Sequence, residues 1–241
     1  MDICVYTHRD AHWCLPPFAY LWNVYFSSLQ PVLIAGGEPD VDLPDNFSWM
    51  PVESRIKERW SDGLIEMLKM LKSDVVCLLL EDYWLVRYVD WELFNSLEEY
   101  MWNHPNVLKI DLTSDRLCSG GAMDLESWGR ADLIETDWDT PYQWSTQAAL
   151  WNRAKLIEWL RPELSPWDFE LQDRPAKETK VLGTRQWPMR YVNGVGMQCP
   201  NLYRTEHIRV GSICGETTER IDQEHVGRML ALGILPENRP L

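Results

Sequence analysis

Two adjacent carboxylates, Glu81 and Asp82, directly follow an unbroken apolar run at residues 75–80. A run of this length that is rich in Val and Leu is typical of a strand buried on both faces of a sheet. Acidic residues at the carboxyl end of such a strand lie where open α/β sheets bind ligands. Mg²⁺ and Mn²⁺ prefer oxygen ligands of this kind, often shared with substrate phosphates. The pattern indicates either a ligand-binding acidic motif or a solvated acidic turn.

The elements around this motif alternate between strands and helices. The apolar pattern predicts a first strand at residues 2–7, followed by a polar loop and an aromatic helix at 18–29. Ser61 is a candidate cap for part of the second helix, and Asn152 is a candidate cap for the last one. The order favours a three-layer α/β sandwich with a mostly parallel central sheet. Further strands are predicted at 31–35, 75–80, 107–112 (half-buried) and 145–151, and further helices at 55–72, 90–103 and 153–160.

Composition and charge limit the function classes. The net charge of −14 disfavours general binding of polyanions by the whole surface. Residues 174–209, however, carry seven basic against two acidic side chains, interleaved with aromatic residues. Such a segment could bind a nucleotide diphosphate or a nucleic acid. The alternative is that its positive charges only offset the negative charge of the rest of the chain. We expect one domain over residues 1–241, with a core at about 2–173 and a basic, irregular extension at about 174–241.

Cysteine usage and hydropathy bear on where the protein resides. The six Cys residues show no CxxC or zinc-like spacing. We find no secretory signal and no apolar stretch that is long enough to span a bilayer. We therefore expect a cytoplasmic protein, in the host cytoplasm if the protein is viral.

An ordered set of segments carries a family resemblance. The set comprises the first strand with its polar loop, Arg59 with Ser61 at a helix start, residues 78–84, residues 142–151 and residues 165–170. In this order and spacing the chain resembles small nucleotide-sugar glycosyltransferases of the GT-A type from bacteria and bacteriophages, over roughly residues 2–197. The resemblance implies a GT-A-like (Rossmann-type) fold.

The resemblance also implies a donor site. Asp82 would hold a divalent metal, Mn²⁺ or Mg²⁺, that bridges the donor diphosphate, and Glu81 would contact a sugar or ribose. Because this chain has Glu-Asp-Tyr in place of Asp-x-Asp, the metal requirement is open. Thr7 and Arg9 match the loop that seats the nucleoside, and Arg59 and Ser61 lie near a helix N-terminus, which attracts anions.

Acceptor-side residues follow from the same resemblance. Glu170, with Asp168 as the second choice, matches the carboxylate that deprotonates the acceptor hydroxyl in inverting enzymes. Their i,i+2 spacing points them apart, and the alternative is a helix N-terminal turn enriched in acids. Gln147 and Trp151 match the lining of the sugar or acceptor pocket. Weaker candidates are Lys57 for an anion, and His207 and His225 for a late metal ligand.

The leading hypothesis is therefore a glycosyltransferase that moves a sugar from a nucleoside-diphosphate sugar to a hydroxyl acceptor, with inversion. The acceptor is a glycan, a small molecule or a hydroxymethylated pyrimidine in viral DNA, which would be a DNA modification. A non-catalytic nucleotide- or glycan-binding module is the alternative. A metal-dependent hydrolase ranks last, because few additional acidic or His ligands surround Glu81 and Asp82.

Overall fold

The computed structural model describes residues 1–53, 59–172, 176, 178–193 and 221–235. Lys57, His207 and most of the basic extension lie outside these residues. The prediction of one domain stays a prediction.

A mixed sheet of nine strands forms the centre of the described molecule. In spatial order the strands are β3 (Phe47–Pro51), β2 (Val32–Gly36), β1 (Asp2–Tyr6), β4 (Val75–Leu80), β9 (Ala149–Asn152), β6 (Val107–Asp111), β10 (Lys180–Thr184), β8 (Ala131–Glu135) and β7 (Met123–Trp128). The pairings show that, among these strands, all but β8 and β9 run in one direction.

Alternating side chains along the central strands enter two separate cores. Ile3 and Val5 of β1 belong to one apolar cluster, and Cys4 and Tyr6 belong to the other, because successive side chains of a strand point to opposite faces. Helices α1 (Leu15–Trp22), α3 (Trp91–Asn103) and α7 (Gln223–Ala231) cover the first face, and α2 (Trp60–Met70), α5 (Arg153–Trp159) and α6 (Pro166–Glu170) cover the second. The predicted three-layer α/β sandwich is confirmed.

A second, two-stranded sheet stands beside the main one. Strand β5 (Tyr83–Leu85) pairs antiparallel with β11 (Tyr191–Asn193), and Tyr83 and Tyr191 meet edge to face with ring centroids 4.6 Å apart. Because Tyr83 directly follows the acidic pair, this small sheet brings residues from the distant end of the chain to the motif at the end of β4.

Several predicted boundaries differ from the structure. The segment predicted as a strand at 145–151 is irregular until β9 begins at Ala149, and the helix predicted at 55–72 begins at Trp60. The short helix α4 (Asp115–Cys118) and strands β3, β7 and β8 were not predicted. The Asn152 cap is confirmed, since its side chain accepts a hydrogen bond from Lys155 N at 3.1 Å. None of the described helices combines the length and the apolar character that crossing a membrane requires.

Candidate functional site

The parallel strands β1, β2, β4 and β6 end at one edge of the sheet. The register places Tyr6 opposite both Ala35 and Leu80, so these strands end at the same level. Residues that follow the strand ends therefore meet, which is the arrangement that creates ligand sites in open α/β sheets. This edge contains most of the residues that the sequence selected.

The end of β1 is held against β2 by a close backbone approach. Thr7 N donates to Ala35 O at 2.8 Å, and a Cβ atom on Gly36 would lie 2.3 Å from Thr7 O. Gly36 also has a φ of +145°, which residues other than glycine rarely adopt. Thr7 is itself buried, and its side chain hydrogen-bonds the carboxyl of Glu81. Thr7 thus joins the end of β1 to the acidic motif.

The two adjacent acids of the motif have different environments. Glu81 is only 5% exposed, and burial, followed by the charge of Asp82, raises the pKa of Glu81 well above its usual value. The neutral form of Glu81 is therefore favoured, and the imidazole Nε2 of His8, whose own pKa is lowered by burial, lies 4.0 Å from its carboxyl. Asp82 is the more exposed of the pair. Of the two, Asp82 is placed better to meet an incoming cation or phosphate-bound metal.

Helix α6 gives its two acids different contacts. Asp168 closes a capping box, because its Oδ2 accepts from Ser165 N at 3.3 Å and from Ser165 Oγ at 2.6 Å. Glu170 instead reaches out of the helix, and its Oε1 accepts from Thr146 N at 2.7 Å and Thr146 Oγ1 at 2.8 Å. The helix-terminal role that the sequence left open therefore applies to Asp168, and Glu170 is the acid that faces the edge.

The residues Ser145–Gln147, here named the bridging segment, connect the acidic motif to α6. Tyr83 Oη donates to Thr146 O at 2.9 Å, while Thr146 donates to Glu170 from its other side. Tyr191 Oη donates to Gln147 Oε1. Burial and then the nearby charges of Asp115 and Asp82 raise the pKa of Tyr191, so its hydroxyl keeps the proton that it donates. Hydrogen bonds from Tyr83 to Thr146 and from Thr146 to Glu170 thus connect the residue after Asp82 with Glu170.

A buried ionic cluster lies beneath the bridging segment. Asp111 at the end of β6 pairs with Lys109 Nζ at 2.5 Å and Arg116 Nε at 3.2 Å, and Lys109, Asp111 and Arg116 are fully buried. Lys109 Nζ also donates to Ser145 O at 2.7 Å. Burial, followed by the charge of Asp111, raises the pKa of nearby Asp115. The cluster fixes the bridging segment from below.

This cluster corrects the prediction that β6 is half-buried. All five of its residues are buried, because α4 and the bridging segment cover the face that carries Lys109 and Asp111. The alternation of polar and apolar residues was the only signal in the sequence, and it indicated a solvated face. Asp115 was not selected at all, since its position depends on a helix that the sequence did not predict.

Two further candidates, Trp151 and Ser61, are buried in the fold. Trp151 is 1% exposed, packs in the core near Phe169 and has Lys109 Nζ 5.1 Å from its ring centroid, so the indole has no accessible face. Ser61 does not cap α2, which begins after Arg59. Its Oγ accepts from Leu164 N at 2.9 Å and so ties α2 to the loop before α6.

The basic and histidine candidates differ in their surroundings. Arg59 is exposed and pairs with Asp62 at 2.8 Å, next to the N-terminus of α2. Arg9 is exposed in the loop after β1, close to Gly37. His225 lies on α7, in the opposite helix layer from α6, with Nδ1 3.0 Å from Tyr20 Oη. Arg9 and Arg59 stay accessible to an anion, whereas His225 does not approach the acids.

The acidic residues at this edge suit a metal ion that is bound partly by a substrate better than a metal ion that is bound only by protein side chains. In the part of the chain that the structure describes, no three His, Cys, Asp or Glu residues are grouped to hold a metal ion. Mg²⁺ commonly takes one or two carboxylates and completes its shell with water and substrate phosphates. Asp82 would be the protein ligand of such an ion.

No protein-family model matches this chain, and no curated protein matches it either. Solved structures do resemble it. A UDP-glucose pyrophosphorylase in complex with UDP-glucose has a TM-score of 0.48 at 10% identity, over 82% of this chain and 95% of the other. S. aureus TarS (residues 1–349) has a TM-score of 0.45 at 11% identity, over 85% and 63%. The galactosyltransferase LgtC, with donor and acceptor sugar analogues, has a TM-score of 0.36 at 13% identity, over 66% and 60%. At these identities the likeness concerns the α/β fold only.

Proposed function

We propose that the protein transfers a glycosyl group from a nucleoside-diphosphate sugar to a hydroxyl acceptor. The observation that carries this proposal is the position of Thr146, which contacts both acidic motifs. Tyr83, the residue after Asp82, donates to Thr146 O, and Thr146 donates twice to Glu170. These contacts support a site in which Asp82 would be the diphosphate-side acid and Glu170 the acceptor-side acid, as a displacement between two substrates requires.

The donor would lie across the ends of β1 and β4. Arg9 and Arg59 are exposed cations at this edge that can meet phosphate oxygens. When a divalent metal is bound at Asp82, it supplies positive charge that offsets the charge of the diphosphate. Glu81, favoured in its neutral form, would be able to donate a hydrogen bond to a sugar or ribose oxygen.

Glu170 would act as the general base. Both hydrogen bonds from Thr146 reach Oε1, which holds the carboxylate and directs Oε2 to the acceptor. The acceptor hydroxyl gives its proton to Oε2, and its oxygen forms a bond to the anomeric carbon of the donor. The bond between that carbon and the diphosphate oxygen breaks, and its electron pair leaves with the nucleoside diphosphate. Attack opposite to the leaving group inverts the anomeric carbon.

Thermal unfolding with UDP, GDP, CDP and ADP compounds, each with and without Mn²⁺ or Mg²⁺, tests the donor site. A ligand at about 100 times its dissociation constant adds roughly 2.7 kcal/mol of stability. We expect one nucleotide to stabilise the protein and Asp82→Asn to reduce this gain. Asp74→Asn is a matched control, because Asp74 is an exposed acid that precedes β4 at the opposite edge of the sheet.

Each outcome has a distinct meaning. Stabilisation without metal would keep the donor site and remove Asp82 as a metal ligand. No stabilisation by any nucleotide would contradict the proposal. Nucleotide binding without turnover of any nucleotide sugar would favour the non-catalytic binding module.

A further inference from the structure

The outer face of α6 exposes apolar side chains beside the acid that faces the site. Trp167 is 61% exposed and Leu171 is 70% exposed, and Leu171 N donates to Trp167 O at 3.1 Å. Residues three and four apart are neighbours on a helix, so Trp167, Glu170 and Leu171 share one face. We name these three residues the α6 outer face.

Core packing does not explain this exposure. The inward side of α6 is already anchored by Phe169, which is 1% exposed and lies 5.5 Å from the Trp60 ring and 5.7 Å from the Trp144 ring, measured between centroids. An indole has a large apolar area, and leaving it in water forfeits the stabilisation that burial would provide. Trp167 therefore offers an apolar surface to something other than its own core.

Among the described residues, only one oxygen of the Glu170 carboxylate on this face is hydrogen-bonded. Glu170 Oε1 accepts both hydrogen bonds from Thr146. In the described ranges, no hydrogen bond is found to Oε2 of the same carboxylate. A flat aromatic surface beside an available carboxylate oxygen is the combination found where ligand pockets fix a ring with few polar groups.

The charge around this face selects among ring-shaped ligands. Asp168 and Glu170 lie on α6, Asp82 lies across the bridging segment, and the whole chain carries −14. Phosphates of a nucleic acid would be repelled by this field, whereas an uncharged sugar would not. A pyranose has an apolar C–H face that suits an indole and hydroxyl groups that suit a carboxylate oxygen.

We infer that the α6 outer face is the acceptor subsite and that the acceptor is an uncharged saccharide. One sugar ring lies on the Trp167 indole with its edge against Leu171, and its reacting hydroxyl meets Glu170 Oε2. This inference rests on the proposed glycosyl transfer, since Glu170 is the base in that reaction.

The test is acceptor kinetics with a panel of methyl glycosides and neutral oligosaccharides. The donors are sugars linked to the nucleoside diphosphate that stabilises the protein in thermal unfolding. Trp167→Ala should raise the acceptor KM about tenfold or more, which corresponds to 1.4 kcal/mol or more of lost binding. Trp167→Phe should restore part of the loss, and hydrolysis of the donor by water should not change. Trp102→Ala is the matched control, because Trp102 is 66% exposed on α3, in the opposite helix layer.

Saturation-transfer NMR of the same saccharides with the intact protein separates this inference from the proposed function, because it needs no turnover. Saccharide binding that is lost in Trp167→Ala supports the subsite even if no donor is turned over. An unchanged KM in Trp167→Ala, or a DNA duplex with hydroxymethylated pyrimidines as the better acceptor, overturns it. A dimer in sedimentation that dissociates in Trp167→Ala would also overturn it, because the face would then bind a second copy.

Discussion

Replacing Glu170 by Gln separates its proposed chemical role from its structural one. The substitution keeps the shape of the side chain, and the amide oxygen can still accept both hydrogen bonds from Thr146 at the Oε1 position. What changes is the second oxygen, Oε2, which becomes an NH₂ group without basic character. The variant therefore removes the base while it retains the contacts that join α6 to the bridging segment.

The two effects have different expected sizes. Hydrogen bonds to charged groups contribute about 1.5–3 kcal/mol and those between neutral groups about 0.5–1.5 kcal/mol, so the two bonds to Thr146 should lose roughly 2–3 kcal/mol in total. Loss of a general base lowers kcat roughly 10²–10⁴-fold. The activity loss should thus exceed anything that the small change in stability can explain.

The assay measures nucleoside diphosphate release in the presence of acceptor, alongside nucleotide-induced stabilisation. We expect Glu170→Gln to lose turnover and to keep donor binding. Asp168→Ala is the matched comparison, because Asp168 completes the capping box with Ser165. It should cost at most about 1 kcal/mol of stability and leave kcat within about threefold. Turnover that survives in Glu170→Gln, or is lost equally in Asp168→Ala, would refute the assignment of the base.

Three further substitutions test the framework of the site. Burial and the charge of Asp111 raise the pKa of Asp115 above its usual 3.8. Between 3.8 and the raised pKa, the native state holds a proton that the unfolded state releases, so the free energy of unfolding falls as the pH rises through this range. Asp115→Asn should make this fall shallower in urea unfolding from about pH 4 to pH 8, and an unchanged slope would contradict the shift. Lys109→Met leaves the buried carboxylate of Asp111 with one cation fewer and should lower the free energy of unfolding in urea by about 3–5 kcal/mol. An unchanged free energy of unfolding would contradict the buried ion pair of Lys109 and Asp111. Gly36→Ala places a Cβ atom 2.3 Å from Thr7 O at a positive φ and should lower the stability by about 2–4 kcal/mol in thermal unfolding. A Tm near that of the unmodified protein would contradict this, because it would show that the backbone between Thr7 and Gly36 can move apart at little cost.

The fold and the acidic motif could be predicted because they depend on local patterns. The apolar run before Glu81 has few alternatives to a buried central strand, and the observed β4 matches the predicted bounds. The Asn152 cap likewise depends on residues three positions apart. Signals of this kind are contained in a short window of sequence, so a single chain reveals them.

The buried cluster and the position of Trp151 could not be predicted, because both depend on distant residues. Lys109 and Asp111 alternate with apolar residues as on a solvated face, and only the tertiary position of α4 and the bridging segment covers them. Trp151 is one residue of a short strand, and its register opposite Val76 and Lys109 directs the indole into the core. Whether a side chain of this type faces a ligand or the interior is decided by pairing across the sheet.

The antiparallel strand β9 explains how one short segment can serve both sides of the candidate site. A parallel strand leaves the sheet at the edge where β1 and β4 end, but β9 enters there, so the residues before it arrive at that edge. These residues are the bridging segment, whose backbone is not committed to the sheet and can bond Tyr83 on one side and Glu170 on the other. Because Lys109 holds the same segment from the strand next to β9, a shift of Thr146 together with Tyr83 or Glu170 would disturb a buried cation as well. The cost of that movement favours one fixed position of Glu170 relative to Tyr83, the residue after Asp82, which is what the proposed displacement between two bound substrates requires.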